Sequence, residues 1–260
     1  MKKILALFII FFSAISFSNA QDKSLYQKYT FIKGTDTLPY RLLLPENYDA
    51  SKKYPLILFL HGAGERGNDN EAQLVHGSSL FLRDSIRKKY PAIIIFPQCP
   101  AKSFWSNVAI KTNAAGERAF TFQTGGTPTI AMELLQQLLF QTIKKYKVQR
   151  KQIYVGGLSM GGMGTFEIVN RNPKLFAAAF PVCGGADSSA ANNLKKVNWW
   201  VFHGAKDNVV LPVYSERIVN ALQQINAKVK FTLYPEADHN SWDSAFAEPG
   251  LIPWLFSNKK

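Results

Sequence analysis

Cysteine is scarce in this chain, with two residues in 260. That excludes a disulfide-dense scaffold and leaves no pair with zinc-finger spacing. Glycine and proline, 17 and 13 residues, are at ordinary levels, so collagen-like and low-complexity classes fall away. There is no internal repeat and no linker rich enough to split the chain. Acidic residues are the scarcer charge, 18 against 31 Lys and Arg, giving a formal net charge of +13. Long apolar runs are missing except at the very start. There, Lys2-Lys3 precede an apolar stretch at 4–17, followed by Ser18-Asn19-Ala20. This is the order of a cleaved secretory signal, and the stretch is shorter than the roughly 20 residues of a membrane span. The sequence therefore predicts a signal peptide at 1–20 and one domain at 21–260, exported to the periplasm or beyond.

What is present is hydrophobic patterning: 47% of the residues are apolar. Residues 23–33 and 37–44 read as an antiparallel opening pair of strands about a Gly34 turn. Beyond Pro45, short continuous apolar runs at 55–60, 92–96, 153–155, 177–182, 199–202 and 229–234 alternate with helical stretches at 80–89, 129–147, 160–171 and 213–225. Strands without polar alternation are buried on both faces. The expected fold is α/β, with about eight strands in a mostly parallel sheet covered by helices.

The basic residues then acquire a place. Lys52-Lys53, Arg87-Lys88-Lys89, Arg150-Lys151, Lys195-Lys196 and Lys228 each precede an expected strand. In a parallel sheet those positions share the amino edge, opposite the edge where such folds bind ligands. Export and the absence of any recognition motif argue against nucleic acid. A basic pole serves solubility, or weak docking to an anionic surface.

Gly157-Leu158-Ser159-Met160-Gly161 fits G-x-S-x-G between an apolar strand and a helical stretch. That setting is a nucleophile elbow, where small neighbours let the serine backbone take a strained turn. A serine hydroxyl needs a base, usually a histidine oriented by a carboxylate. Of four histidines, His61 and His203 stand at strand ends, where buried turn-organising roles are expected. His76 lies early, in a polar stretch. His239 falls in a loop after the last strand, the position for the base. Asp207, after the preceding strand, is the expected carboxylate, with Asp187, Glu236 and Asp238 as rivals. An oxyanion hole needs two amides. Met160 N–H should be one and Ala63 N–H the other, with Gly64 as the fallback.

His61-Gly62-Ala63-Gly64-Glu65-Arg66-Gly67, Gly157 to Gly162 and His239-Asn240-Ser241-Trp242 together resemble secreted bacterial α/β-hydrolase esterases. These are similar to the feruloyl and acetylxylan esterases of carbohydrate esterase family 1, to polyhydroxybutyrate depolymerases and to predicted peptidases of prolyl-oligopeptidase type. The resemblance runs from about residue 38 to 255. It implies hydrolysis of acyl esters, small or polysaccharide-borne, through Ser159, Asp207 and His239 without metal or cofactor. A small-peptide hydrolase and a non-catalytic binding module on the same fold stay open. The usual lid position, 183–197, is too short for a large lid. The segment 97–128 carries several aromatics and has no clear structure; Trp105 from it, with Trp242, is expected to wall a substrate pocket. Glu65-Arg66 are expected to form an ion pair beneath the oxyanion loop. Cys99 and Cys183 follow strands that are not neighbours and are expected to be unbridged.

Overall fold

The computed structural model describes residues 22–260; the expected signal peptide lies outside them. The chain opens with β1 (Gln27–Lys33), β2 (Asp36–Leu43) and β3 (Tyr54–Leu60). It continues through α1 (Ser78–Leu82), α2 (Asp84–Lys89), β4 (Ile93–Pro97), β5 (Val108–Thr112), β6 (Arg118–Phe122), α3 (Ile130–Lys145), β7 (Val148–Leu158) and α4 (Met160–Arg171). It closes with β8 (Ala178–Val182), α5 (Ala191–Leu194), β9 (Asn198–Gly204), α6 (Val213–Gln224), β10 (Val229–Tyr234), α7 (Trp242–Ala247) and α8 (Leu251–Ser257). Eight strands form one sheet in the order β1-β2-β4-β3-β7-β8-β9-β10. β1 and β2 are antiparallel, and the strands from β4 to β10 in that order run parallel.

The continuous apolar runs in β3, β4, β7, β8 and β9 are buried on both sides, as the absence of polar alternation requires, whereas β10, at the sheet edge, is only half-buried and leaves Leu233 exposed. In β3, Leu56, Leu58 and Leu60 face a core completed by α3, α4 and α6. Ile57 and Phe59 face the opposite core, completed by α1, α7 and α8. This is the mostly parallel, two-faced α/β sheet that the runs imply. The longest helix, α3, starts where Thr129 Oγ1 accepts from Met132 N at 3.1 Å. It ends on Lys144 and Lys145, cations that complement the helix carboxyl end.

Two local expectations change. The single helix expected at 80–89 is divided into α1 and α2, because Arg83 between them is extended (φ −61°, ψ 126°). The stretch 97–128 is not wholly irregular: β5 and β6 form a separate two-stranded hairpin. Phe120 and Phe122 on one face of this hairpin pack with Met163, Val210 and Tyr214, which seats it over the carboxyl edge of the sheet. The basic clusters occupy the opposite edge. Lys52 and Lys53 enter β3, Arg87 to Lys89 precede β4, Arg150 and Lys151 open β7, Lys195 and Lys196 precede β9, and Lys228 precedes β10.

Candidate active site

Ser159 occupies the one-residue junction between β7 and α4, with φ 53° and ψ −117°, a left-handed backbone that a side chain adopts only when its surroundings impose it. The surroundings here are glycine-dependent. A Cβ on Gly157 would stand 2.5 Å from the Gly161 carbonyl oxygen, and one on Gly161 would stand 2.0 Å from that of Leu60. The elbow is closed by Ser159 N donating to Val182 O at 2.9 Å.

His239 and Asp207 reach this serine from the ends of β10 and β9. His239 Nε2 lies 2.9 Å from Ser159 Oγ, and Nδ1 lies 2.8 Å from Asp207 Oδ2. A carboxylate only accepts, so Nδ1 carries the imidazole proton and Nε2 is free to accept from the serine hydroxyl. Asp207 is buried, 3% exposed. Its Oδ1 accepts from Val209 N and Val210 N at 2.9 and 3.0 Å, and its Oδ2 also lies 3.1 Å from His203 Nε2. Burial alone raises a carboxyl pKa. The hydrogen bonds from His203 and His239 outweigh it and hold Asp207 well below the usual carboxylate range.

The rival carboxylates are engaged elsewhere. Asp187 accepts from Ser189 N, Asp238 from Asn240 N, and Glu236 pairs with Lys206. Met160 and Ala63 are the first residues of α4 and of a one-turn 3₁₀ helix at Ala63–Glu65. First-turn amides have no partner within their helix, so both N–H groups are available. Gly64, the fallback donor, lies in the same turn and is exposed.

The two tryptophans expected to wall a pocket part company. The Trp242 ring is partly buried, 5.5 Å from the His239 ring and 5.1 Å from that of His76, beside the serine. Trp105 is wholly buried, packed against Gly164 and the His61 ring, so it fills the core beneath the site instead of lining an open pocket. The expected ion pair is also absent among the described residues. Arg66 donates to Ala63 O and Ser103 O at 3.0 and 3.3 Å, while the Glu65 carboxylate lies 4.0 Å from His61 Nδ1 and 3.9 Å from His76 Nε2. Arg66 thereby pins the carbonyl of Ala63, the first residue of this turn.

His61 does organise its turn. Nδ1 donates to Gly62 O at 2.6 Å and Nε2 accepts from Cys99 N at 2.9 Å, and burial lowers its pKa to about 4. Cys99 and Cys183 are both free and buried. Among the described residues, Cys183, Asp207 and His239 bring side-chain ligand atoms within 4.8 Å of one another. Asp207 is already saturated by four donors, and burial drives the Cys183 thiol pKa far up, the Asp207 charge adding to it. The group therefore suits proton transfer better than metal ligation. The second imidazole on Asp207, that of His203, carried no sequence signal beyond its position four residues before the aspartate.

Comparison with known proteins places the chain among esterase-like folds. The sequence pattern of the family described as phospholipase/carboxylesterase matches residues 47–248. A crystal structure titled a thermostable esterase superposes with a TM-score of 0.81 at 32% identity, covering 91% of this chain and 64% of its own. A bifunctional acetylxylan esterase/xylanase of Neocallimastix patriciarum is 24% identical over 60% of this chain and 20% of its own length. A probable acetylxylan esterase A of Aspergillus fumigatus is 27% identical over 48% of this chain and 31% of its own. The chain thus spans about a fifth to a third of these two relatives. On the family pattern, the eight-stranded sheet and the serine elbow, this chain belongs to the phospholipase/carboxylesterase family of α/β-hydrolases.

Proposed function

We propose that the protein is an exported serine carboxylesterase that removes acetyl or feruloyl groups from polysaccharide. The observation that carries this reading is the hydrogen-bonded line from Ser159 Oγ through His239 to Asp207, at 2.9 and 2.8 Å, set on a serine at φ 53°. His239 Nε2 takes the hydroxyl proton as Ser159 Oγ attacks the acyl carbonyl, and Asp207 holds the imidazolium that results. The carbonyl oxygen becomes an anion facing the amides of Met160 and Ala63, which stabilise it. Collapse expels the alcohol with the proton from His239. Water, activated by the same nitrogen, then releases the acid.

The choice of acyl group rests on the acetylxylan esterase relatives and on Trp242, whose ring stands 5.5 Å from that of His239 and offers an aromatic wall. The test is hydrolysis of short p-nitrophenyl esters, methyl ferulate and acetylated xylan by the wild type and by Ser159→Ala. Activity abolished by the substitution is expected. No hydrolysis of any ester, with no labelling of Ser159 by a fluorophosphonate, refutes the reading in favour of a binding module.

The amino edge of the sheet serves a second part of the proposal. With clusters from Lys52 to Lys228 on the edge opposite Ser159, the protein docks on an anionic membrane surface with its site turned outward. Each basic residue near such a surface contributes about 1 kcal/mol. Co-sedimentation with phosphatidylglycerol vesicles at low salt, lost at high salt and missing with phosphatidylcholine, is expected. Absence of binding at low salt removes this part alone.

A further inference from the structure

Asp207 Oδ2 serves two histidines. Besides His239 Nδ1 at 2.8 Å, it lies 3.1 Å from His203 Nε2, on a ring that is completely buried. The same Nε2 is 2.8 Å from Val210 O. Both neighbours accept only, so Nε2 carries a proton and shares it between them. Nδ1 of His203 is 2.8 Å from Ser215 Oγ, and that hydroxyl is 2.9 Å from Gly184 O. Ser215, on α6, is also fully buried. A closed line of polar atoms therefore runs from the Gly184 carbonyl through Ser215 and His203 to Asp207, His239 and Ser159. It joins the ends of β7, β8, β9 and β10.

We infer that His203 is a positioning residue of this site: its imidazole fixes the orientation of the Asp207 carboxylate and draws charge from the oxygen that His239 uses. The inference rests on Ser159, Asp207 and His239 being the reacting set. Its logic is electrostatic. A carboxylate oxygen that accepts a second strong hydrogen bond presents less negative charge to the first partner. His203 thereby sets how firmly Asp207 holds the imidazolium that His239 becomes on taking the serine proton, without itself touching substrate. The Val209 and Val210 amides hold only the other oxygen, so no backbone donor among them duplicates what His203 does. If Ser215 gives its single proton to Gly184 O, His203 Nδ1 must carry a second proton, and the ring is then a buried cation beside Asp207. If Ser215 gives it to Nδ1, the ring is neutral. Removing the ring moves His239 in the same direction in both cases.

The groups that face His239 are few. Asp207 stands at Nδ1, Ser159 at Nε2, and the Cys183 thiol lies within the same cluster. Asp238 precedes it in its own loop, and His76 and Glu65 stand beyond the Trp242 ring. Of these, His203 touches Asp207 alone, so its substitution acts on His239 through that carboxylate.

The experiment compares His203→Phe, which keeps the ring volume without a donor, with His203→Gln, whose amide N–H reaches the place of Nε2. With four histidines in the chain, imidazole NMR follows each titration individually. His203→Phe is expected to move the His239 titration to higher pH, His203→Gln to restore most of the wild-type position, and Ser215→Ala to give a smaller shift in the same direction. In esterase assays, the acid limb of kcat/KM shifts by the same amount, giving a loss of roughly tenfold below that limb, with KM little changed. A purely structural role would lower the melting temperature and the fraction of labelled Ser159 while leaving the His239 titration in place. That result overturns the inference. So does a His203→Gln protein shifted as far as His203→Phe. Should His203→Phe fail to fold, an unchanged His239 titration in Ser215→Ala would refute the chain from Ser215. The NMR readout needs no substrate, so an inactive wild type would count against the proposed function without touching this result.

Discussion

Adding one methyl group at Gly161 would test how the serine and the oxyanion loop are held together. Gly161 lies in the first turn of α4, two residues past Ser159, where the helix presses on the end of β3. An alanine Cβ there would lie 2.0 Å from Leu60 O, 2.5 Å from Leu60 C and 2.7 Å from His61 O. All three are backbone atoms, so no side chain can swing aside. Reaching even the 3.0 Å that real Cβ contacts respect requires α4 and β3 to separate by about 1 Å, on the scale at which misplacement costs roughly 100-fold in rate. The separation acts on both sides of the reaction at once, because Met160 N–H leads α4 and Ala63 N–H follows Leu60 by three residues. Overpacking of this kind also destabilises by about 1–3 kcal/mol, which for a domain of this size lowers the melting temperature by about 2–4 °C per kcal/mol. Steady-state hydrolysis of p-nitrophenyl acetate, normalised to fluorophosphonate-titrated sites, and a thermal melt give both quantities. Wild-type turnover and an unshifted melt for Gly161→Ala would refute the steric account of the elbow.

Three further outcomes follow from burial. His61 has its folded pKa lowered to about 4 from 6.5, so the unfolded chain binds the extra proton first. Its contribution of roughly 3 kcal/mol is present above pH 6.5 and is lost as the pH falls towards 4. Denaturant titrations of His61→Gln should show a correspondingly shallower loss over that window, and an identical acid dependence contradicts the assignment. Burial pushes the Cys99 thiol up to about 12 and Cys183 higher still, so neither should react with a disulfide reagent at pH 8 until the protein is unfolded; rapid native labelling of either would show the burial to be wrong. Trp105→Ala should lose about 3–5 kcal/mol of stability, whereas Trp242→Ala should keep the melt and change the ratio of ferulate to acetate hydrolysis. The opposite pattern in the melts would reverse the two roles.

Local pattern determined much of this protein. Apolar runs such as the one through Leu56–Leu60 lack polar alternation, and that is enough to require a sheet covered on both faces. Gly157 and Gly161 flank a serine between a strand and a helix, a spacing dictated by steric contact across the turn and therefore written in neighbouring residues. The order Ser159, Asp207, His239 follows from a nucleophile, a carboxylate and a base placed after three strand ends, with Asp187, Glu236 and Asp238 left as rivals, and the fold brings the first three within hydrogen-bond reach. The basic clusters were legible for the same reason, since each sits at the entrance of a strand.

Tertiary structure decided what depends on residues far apart in the chain. The β5–β6 hairpin has five residues per strand, mostly exposed, so its periodicity was too weak to read; it forms because Phe120 and Phe122 find Met163, Val210 and Tyr214. An aromatic residue in a loop has no sign for inward or outward, and only the space left by Gly164 sent Trp105 into the core while Trp242 remained beside His239. Glu65 and Arg66 are adjacent in sequence, yet consecutive side chains in a tight turn diverge: Arg66 donates to the Ala63 and Ser103 carbonyls, while the Glu65 carboxylate turns towards His61 and His76 at about 4 Å without a hydrogen bond to either. His203 reads in sequence as one more buried strand-end histidine. Its second place on Asp207 exists only because β9, the loop to Val210 and Ser215 of α6 converge on a single carboxylate oxygen, and hydrogen bonding at that range is fixed by three-dimensional geometry alone.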